Sequence, residues 1–325
     1  MKFAIVGAGA IGGLLGAKLA RAGEDVALIA RGSHLAAIRE RGLRLEAGEN
    51  AFTVHPPVSD DPAEIGVVDV VIIALKAHSL PPFVERLKPL LGVETTVVTA
   101  MNGLPWWYFY RHGGEWEGTT LSSLDPGGVI ANTIGVERVM GCIVFPSAEI
   151  PAPGVIRHVE GNRFSLGEPD GAKSERAVRI SQALIGAGFR APIRTRIRHD
   201  IWVKLIGNMV FNPLSALTGA TLREIAEHPP SRELAREMMI EAIGVAEKLG
   251  IELDITVDQR IEGARKVGGH KTSMLQDLEA GKPLELECMV GAVLELGRLV
   301  RVPMPRTEAV YAAAKLLDQV RAQGR

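Results

Sequence analysis

Short apolar runs alternate with amphipathic segments over the first 195 residues, a pattern typical of a parallel sheet covered by helices. The apolar runs are rich in β-branched residues and carry few charges. They predict strands at residues 1–6, 26–30, 67–75, 95–101, 139–145, 154–159, 163–166 and 191–195. The amphipathic segments predict helices at residues 14–22 and 174–186. This part of the chain is therefore predicted to be an α/β domain.

The pattern changes near residue 196, because β signals almost vanish and apolar residues recur at helical spacing. Helices are predicted at residues 200–217, 233–249, 256–267, 285–299 and 307–322. The sequence therefore predicts two domains, one over residues 1–195 and an all-helical one over residues 196–325.

A glycine-rich turn joins the first predicted strand to the first predicted helix. The run Gly7-Ala8-Gly9-Ala10-Ile11-Gly12 has the glycine spacing of dinucleotide-binding turns. The first glycine permits the tight turn, the second lets backbone approach a pyrophosphate, and the third lets the helix lie close to the strand. The helix N-terminus offers N–H donors to the phosphates. The first domain is therefore predicted to be a Rossmann domain that binds a dinucleotide with these six residues.

The end of the second predicted strand indicates which dinucleotide is bound. NAD-binding folds place Asp or Glu there to accept a hydrogen bond from the ribose 2′-hydroxyl. This strand ends instead at Arg31, and the acidic residues Glu24 and Asp25 precede the strand. The forked guanidinium of Arg31 suits a 2′-phosphate, and Ser33 adds a hydroxyl donor. NADP(H) is the predicted cofactor; the alternative is a solvated arginine in a loop.

Composition and charge narrow the class of partner. The 325 residues carry a formal net charge of −1, which gives no indication of nucleic-acid or membrane binding. Apart from the N-terminal segment, the longest apolar run is residues 66–75, which is too short to span a bilayer. Cys142 and Cys288 lie far apart, without metal or redox spacing. We expect a cytoplasmic protein with buried thiols and no metal; a homodimer is left open.

Two polar residues follow predicted strands of the first domain. Lys76 comes after the strand that ends at Leu75, and Asn102 after the strand that ends at Met101. Open α/β sheets bind ligands beyond the carboxyl ends of their strands, so both side chains are placed to reach the nicotinamide ribose or the substrate. The alternative is that both merely cap strands and face water.

A polar stripe marks the first helix of the second domain. Lys204, Asn208 and Asn212 are spaced four residues apart on an otherwise apolar helix, so they share one face. Such groups are seldom kept on a buried helix unless something pairs with them. We interpret the stripe as an active-site wall in which Lys204 polarises a carbonyl. The alternative is a structural hydrogen-bonded stripe.

These features together resemble the ketopantoate reductase family (2-dehydropantoate 2-reductases). GAGAIG at residues 7–12, LKA at 75–77, NG at 102–103, WVKLIGNMVFNPLSA at 202–216 and SMLQD at 273–277 occur in the family's order. Glu285 stands where the glutamate of the family's E-I-D motif falls. Taken alone, the segment around Ser273 reads as an ordinary helix start and Glu285 as a surface acid.

The resemblance implies a Rossmann domain with a helical domain, NADPH, and reduction of a 2-keto acid, most simply ketopantoate to pantoate. It implies Lys204 as the catalytic lysine with Glu285 as its partner. Asn102, Asn208, Asn212 and Ser273 would line the substrate, Lys76 would lie near nicotinamide, and Arg31 near the 2′-phosphate. The alternatives are a reductase for a different 2-keto or 3-hydroxy acid and a non-catalytic NADP(H) redox sensor.

Two departures from the family pattern bear on the substrate and leave the reaction type intact. Residues 104–118 are rich in aromatics and follow Asn102 closely, so they are placed to reshape the substrate pocket. The alternative is a segment that packs its aromatics on its own domain. His270 stands three residues before Ser273, where some members carry Asn.

Overall fold

The computed structural model describes residues 1–323 and divides into two compact units. The first unit comprises Met1–Thr120 and Gly127–Ile197. The second comprises Leu121–Pro126 and the residues from Arg198 onward. Within the second unit, the Glu295 carboxylate accepts hydrogen bonds from the backbone N–H groups of Ser122 (2.8 Å) and Ser123 (2.9 Å), which ties the short segment to that unit.

The first unit contains the strands of the molecule and several helices. Its strands are β1 (Lys2–Val6), β2 (Asp25–Ile29), β3 (Leu43–Ala47), β4 (Asn50–Val54), β5 (Val58–Ser59), β6 (Val68–Ile73), β7 (Leu91–Thr99), β8 (Val139–Val144), β9 (Ser147–Ala152), β10 (Val155–Glu160) and β11 (Phe164–Gly167). Its α-helices are α1 (Ala10–Arg21), α2 (Gly32–Arg41), α3 (Val129–Ile134) and α4 (Glu175–Gly186).

The main sheet has the order β11-β8-β7-β6-β1-β2-β5 and is parallel except for β11, which runs antiparallel to β8. Its central strands are buried, as the apolar runs predict: every residue of Phe3–Val6 is fully buried. Strand β1 pairs with β2 on one side and β6 on the other, so the chain reverses its winding direction about β1. The predicted α/β Rossmann class is confirmed.

A second, four-stranded sheet of order β4-β3-β10-β9 packs against α1. Small residues of α1 permit this close approach. A Cβ at Gly13 would lie 2.6 Å from the Cδ1 atom of Ile156, and one at Gly16 would lie 2.6 Å from a Leu28 methyl group. Helix α1 therefore fills the space between this sheet and the main one, which holds its N-terminus in place.

The remaining elements are helices, as the sequence predicts. They are α5 (Ile197–Thr218), α6 (Leu222–Glu227), α7 (Pro229–Lys248), α8 (Val257–Val267), α9 (Ser273–Glu279), α10 (Ala292–Leu299) and α11 (Pro305–Ala322). Capping boxes at Thr221 and Thr256 begin α6 and α8, because each hydroxyl accepts from the third N–H of its helix. A π-helical turn over Glu287–Gly291 precedes α10.

Two predicted elements differ from the structure. The strand predicted at residues 191–195 is wrong: this segment makes only isolated bridges, such as Leu166 with Ile193, because Pro192 has no N–H to donate. The helix predicted over residues 285–299 is present from Leu286, but its first part, Glu287–Gly291, is π-helical.

Candidate active site

The N-terminus of α1 is a ready acceptor of anions. Gly9 is its N-cap residue and supplies no side-chain cap, and no acidic residue lies in the first turn. The N–H of Gly13 donates to the Gly9 carbonyl (2.6 Å), so the preceding N–H groups of the helix have no partner within it. The N–H groups of Gly7 and Ala8 both donate to the Ile29 carbonyl (3.1 and 2.9 Å), which anchors the turn to β2. This geometry suits a pyrophosphate.

The three glycines of this turn lie in different steric environments. Gly7 has a φ of +94°, which an L side chain rarely adopts. A Cβ on Gly12 would lie 2.0 Å from the Gly7 carbonyl oxygen, so this glycine is needed for the fold itself. A Cβ on Gly9 would meet nothing within 4 Å. The open side of the turn is therefore at Gly9, where a dinucleotide needs room, and the residues present fit such a group.

Arg31 lies at the carboxyl end of β2, as the N-cap residue of α2. Its side chain is exposed, and within residues 1–323 it has no hydrogen bond or ion pair. No acidic residue occurs in the first turn of α2. A guanidinium without a carboxylate partner at this strand end fits a 2′-phosphate better than a ribose hydroxyl.

His34 lies one turn beyond Arg31, and the sequence analysis missed it. Its Nδ1 accepts a hydrogen bond from the Gly154 N–H (2.9 Å), a residue 120 positions away along the chain. Burial lowers the pKa of the imidazole, and the nearby Ala8 backbone partly offsets this effect. The ring thus ties the start of α2 to the turn between β9 and β10, and its buried Nε2 atom has no hydrogen-bond partner within residues 1–323. Sequence spacing carries no signal for that contact.

Lys76 and Asn102 lie where the sequence predicts, beyond the ends of β6 and β7. These strands follow β1 in the sheet and run parallel to it, so both residues lie at the edge that carries the glycine turn. Lys76 is the N-cap residue of a short 3₁₀ helix over Ala77–Ser79, and its side chain is half-buried. Asn102 is also half-buried. The first unit thus gathers its candidate residues at one edge.

The aromatic segment after Asn102 packs largely into the first unit. Trp107 is buried, and its indole N–H donates to the Thr99 hydroxyl (2.9 Å). Tyr108 and Phe109 are also buried and contact each other edge to face, with centroids 5.0 Å apart. These residues support the alternative that the segment packs its aromatics on its own domain. Trp106 differs, because its buried indole nitrogen has no hydrogen-bond partner within residues 1–323.

The polar stripe of the second unit lies on α5, which the structure confirms as a continuous helix over Ile197–Thr218. Lys204 and Asn208 are half-buried, whereas Asn212 is only 5% exposed. The Asn212 amide nitrogen contacts the thioether sulfur of Met289 at 3.4 Å. The buried end of the stripe therefore packs against the π-helical turn, and its other members lie towards the surface of the unit.

Ser273 and Glu285 come from different parts of the second unit. Ser273 is exposed and is the first residue of α9, whose N-cap is Thr272: the threonine hydroxyl accepts from the Leu275 N–H at 3.2 Å. Glu285 is only 6% exposed and precedes the π-helical turn. Its carbonyl oxygen accepts a hydrogen bond from the Cys288 thiol (3.6 Å). The structure thus contradicts the reading of Glu285 as a surface acid.

Residues 1–323 contain no group of three or more His, Cys, Asp or Glu side chains arranged to hold a metal ion. In the same residues, no helix combines the length and apolar character needed to cross a membrane.

Comparison with known families gives matches in both halves of the chain. Residues 3–108 match the family described as "Ketopantoate reductase PanE/ApbA". Residues 196–318 match the family described as "Ketopantoate reductase PanE/ApbA C terminal". Together these matches span more than half of the chain.

Individual relatives agree with the family matches. The 2-dehydropantoate 2-reductase of Mesorhizobium japonicum is 54% identical over 321 residues, which cover 98% of each chain. A crystal structure from Ralstonia solanacearum, classed as a ketopantoate reductase, is 40% identical with a TM-score of 0.95 and covers 99% of this chain and 98% of that one. D-mandelate dehydrogenase, solved with NADH and anilino(oxo)acetate, is 22% identical with a TM-score of 0.85 over 99% of each chain, and this likeness concerns the fold alone.

Proposed function

Because the chain belongs to the ketopantoate reductase family of oxidoreductases, we propose that it uses NADPH to reduce a 2-keto acid, namely 2-dehydropantoate (ketopantoate) to pantoate. The observation that carries the proposal is the Lys204–Asn208 stripe on a helix of the second unit, in a chain whose first unit has an open dinucleotide turn. A redox sensor without catalysis needs the turn but not the stripe. The 54% identical 2-dehydropantoate 2-reductase supports the named substrate.

The first unit is proposed to hold the cofactor. The N-terminal turn of α1, residues 7–12, binds the pyrophosphate through backbone N–H groups. Arg31 binds the 2′-phosphate, which distinguishes NADPH from NADH. Lys76 and Asn102 lie towards the nicotinamide ribose and the substrate. When bound, the nicotinamide supplies a hydride to the carbonyl carbon of the substrate.

The second unit is proposed to supply the acid and the substrate contacts. Lys204 donates a hydrogen bond to the substrate carbonyl, stabilises the negative charge that develops on its oxygen and delivers the proton that completes the hydroxyl group. Glu285 orients Lys204. A fixed cation at developing charge is among the largest contributions that a protein makes to such a reaction.

The remaining stripe residues and Ser273 are proposed to bind the substrate. Asn208, Asn212 and Ser273 offer amide and hydroxyl groups for the carboxylate or hydroxyl of the keto acid. In this account, residues 1–195 form the cofactor domain and residues 196–325 the substrate domain. We place the reaction in the cytoplasm, and a homodimer is compatible with the account.

A second candidate is the reduction of a different 2-keto acid. Anilino(oxo)acetate, the ligand solved with D-mandelate dehydrogenase, carries an aromatic group beside its keto-acid-like end, and that enzyme has the same fold with NADH. The aromatic-rich segment after Asn102, residues 104–118, is the reason to test aromatic keto acids beside ketopantoate.

A substrate panel tests the proposal. NADPH and NADH would each be supplied with ketopantoate, pyruvate, 2-oxoisovalerate and phenylglyoxylate, and the loss of reduced cofactor followed by absorbance. The proposal predicts the highest kcat/KM for NADPH with ketopantoate, and pantoate as the product. Turnover of phenylglyoxylate alone would support reduction of a 2-keto acid but would rule out ketopantoate as the substrate. No turnover with any keto acid would overturn the proposal.

A further inference from the structure

The guanidinium of Arg260 lies against the helix that carries the lysine–asparagine stripe. Arg260 belongs to α8, and its Nη2 atom lies 3.5 Å from the Lys204 carbonyl oxygen on α5, with hydrogen-bond geometry. Its group packs on Gly207: a Cβ there would lie 2.1 Å from Nη2, 2.5 Å from Nε and 2.6 Å from Cζ. Only a glycine at position 207 therefore gives the guanidinium this place.

No carboxylate neutralises this cation. Within residues 1–323, the long contact with the Lys204 carbonyl is the one hydrogen bond of the Arg260 side chain. This side chain forms no ion pair, and its Nε atom is buried without a partner. Burial lowers the pKa of the group. An arginine stays charged in proteins, so a half-buried guanidinium without an ion pair carries a desolvation penalty that an anion would relieve.

Two neighbouring arginines, Arg236 and Arg265, differ from Arg260 because each has a carboxylate partner. Arg236 of α7 forms an ion pair with Asp258, and Arg265 donates two hydrogen bonds to the Glu262 carboxylate (2.7 and 2.8 Å). Asp258 and Glu262 of α8 thus pair with these two arginines, whereas Arg260 faces α5 and has no carboxylate partner within residues 1–323.

The Arg260 guanidinium packs on the same turn of α5 that carries Lys204 and Asn208. Residues 204, 207 and 208 fall within one turn of α5, and the Lys204 carbonyl points along the helix towards Asn208. A group bound to Arg260 therefore lies within one helical turn of the Lys204 and Asn208 positions. The distance along one turn, about 5.4 Å, is the scale of a small keto acid.

We infer that Arg260 is a substrate-binding residue that recognises the carboxylate of the keto acid whose carbonyl Lys204 activates. This inference rests on the proposed function and deepens it, since it assigns the anionic end of the substrate to a residue outside the stripe. The carboxylate and the keto group of a 2-keto acid are on adjacent carbons. Arg260 can therefore bind the carboxylate while Lys204, within one helical turn, binds the keto oxygen. The planar fork of the guanidinium suits both oxygens of a carboxylate.

The test compares an acid with its neutral ester. Arg260→Met keeps the apolar stem and removes the charge, and Arg265→Met on the same helix is the matched control. For Arg260→Met, kcat/KM for the keto acid is expected to fall roughly 10- to 100-fold, the range for a hydrogen-bonded ionic contact. The methyl ester of the same acid should lose little, because it presents no charge. Equal losses for acid and ester would overturn the inference and leave Arg260 as a residue that only packs α8 against α5.

Gly207→Ala provides a second variant that does not touch the arginine. Alanine favours the helix, but its Cβ displaces the guanidinium. The preference for acid over ester is expected to fall here as well, with the control unchanged. If both variants kept the wild-type preference for acid over ester, the assignment of Arg260 to the substrate carboxylate would be contradicted.

A binding measurement separates failure of the inference from failure of the proposed function. Oxamate, an unreactive carboxylate analogue, would be titrated calorimetrically into the NADPH complex of each variant. We expect the wild-type and Arg265→Met proteins to bind it and Arg260→Met to bind it at least about 10-fold more weakly. Equal binding by all three overturns the role of Arg260. Absence of keto acid turnover in the wild type, with Arg260-dependent oxamate binding retained, overturns the reaction and keeps the anion site.

Discussion

The carbonyl oxygen of Gly7 lies 2.0 Å from the place that a Cβ on Gly12 would occupy. Gly7 follows β1 and Gly12 lies in the first turn of α1, so a side chain at position 12 could be accommodated only by shifting α1 against β1. Gly9, in the same turn, has open space at the corresponding position. The turn therefore separates a glycine needed for the fold from one that leaves room for a ligand.

This separation predicts opposite outcomes for two alanine substitutions. Gly12→Ala should destabilise the protein by about 3 kcal/mol, because the clash is with main chain. Gly9→Ala should leave the free energy of unfolding near that of the wild type and weaken NADPH binding. Denaturant unfolding and a fluorescence titration with NADPH check both. Unchanged NADPH affinity in Gly9→Ala would contradict the location of the pyrophosphate.

Arg31 is predicted to set cofactor preference. Arg31→Ala should weaken NADPH binding roughly 10- to 100-fold, since a charge-assisted contact to the 2′-phosphate is lost. NADH binding should change little, because NADH lacks that phosphate. The measurement is the Kd of each cofactor for wild type and variant. Equal loss for the two cofactors would assign Arg31 a structural role.

His34 is predicted to make the stability of the protein depend on pH. Burial lowers the pKa of the folded imidazole below the unfolded value of about 6.5, so the unfolded state binds more protons. The contribution is complete above about pH 6.5 and is lost as pH falls through that value towards the folded pKa. His34→Asn, which retains an acceptor for the Gly154 N–H, should flatten the decrease in the free energy of unfolding between about pH 7 and 5. The same decrease in wild type and variant would contradict this assignment.

Local patterns in the sequence were enough to predict much of the fold. The glycine turn, the buried strands and the helix that carries Lys204 are each encoded within about one element, where periodicity and turn chemistry act directly. The second sheet was missed, because β3 pairs in parallel with β10 more than 100 positions later, and neither strand has a signal that names its partner.

In the candidate site too, features encoded locally could be predicted, whereas contacts between residues distant in sequence could not. The Lys204 stripe was found because its residues share one helix face. Arg260 could not be predicted, because its significance depends on Gly207, 53 positions earlier, and on the lack of a carboxylate partner among residues 1–323. Burial of Glu285 was likewise not predictable from its local context, which reads as a surface acid.

Glu285 is predicted to act with Lys204 as a unit. Glu285→Gln should lower kcat with little effect on the Kd of NADPH, because a neutral amide cannot hold the lysine ammonium in place as a carboxylate does. The double variant with Lys204→Ala should lose less than the two single losses combined, as residues of one network do. Additive losses would show that the two side chains act independently.

The central claim is that Lys204 stabilises the developing alkoxide and supplies its proton, and steady-state kinetics of Lys204→Ala beside an NADPH titration test it most directly. The account predicts that kcat and kcat/KM for ketopantoate both fall roughly 10²-fold or more, while NADPH affinity and the unfolding transition stay as in the wild type. An unaltered kcat would remove Lys204 from the mechanism, and a loss of folding would return the stripe on α5 to a structural role.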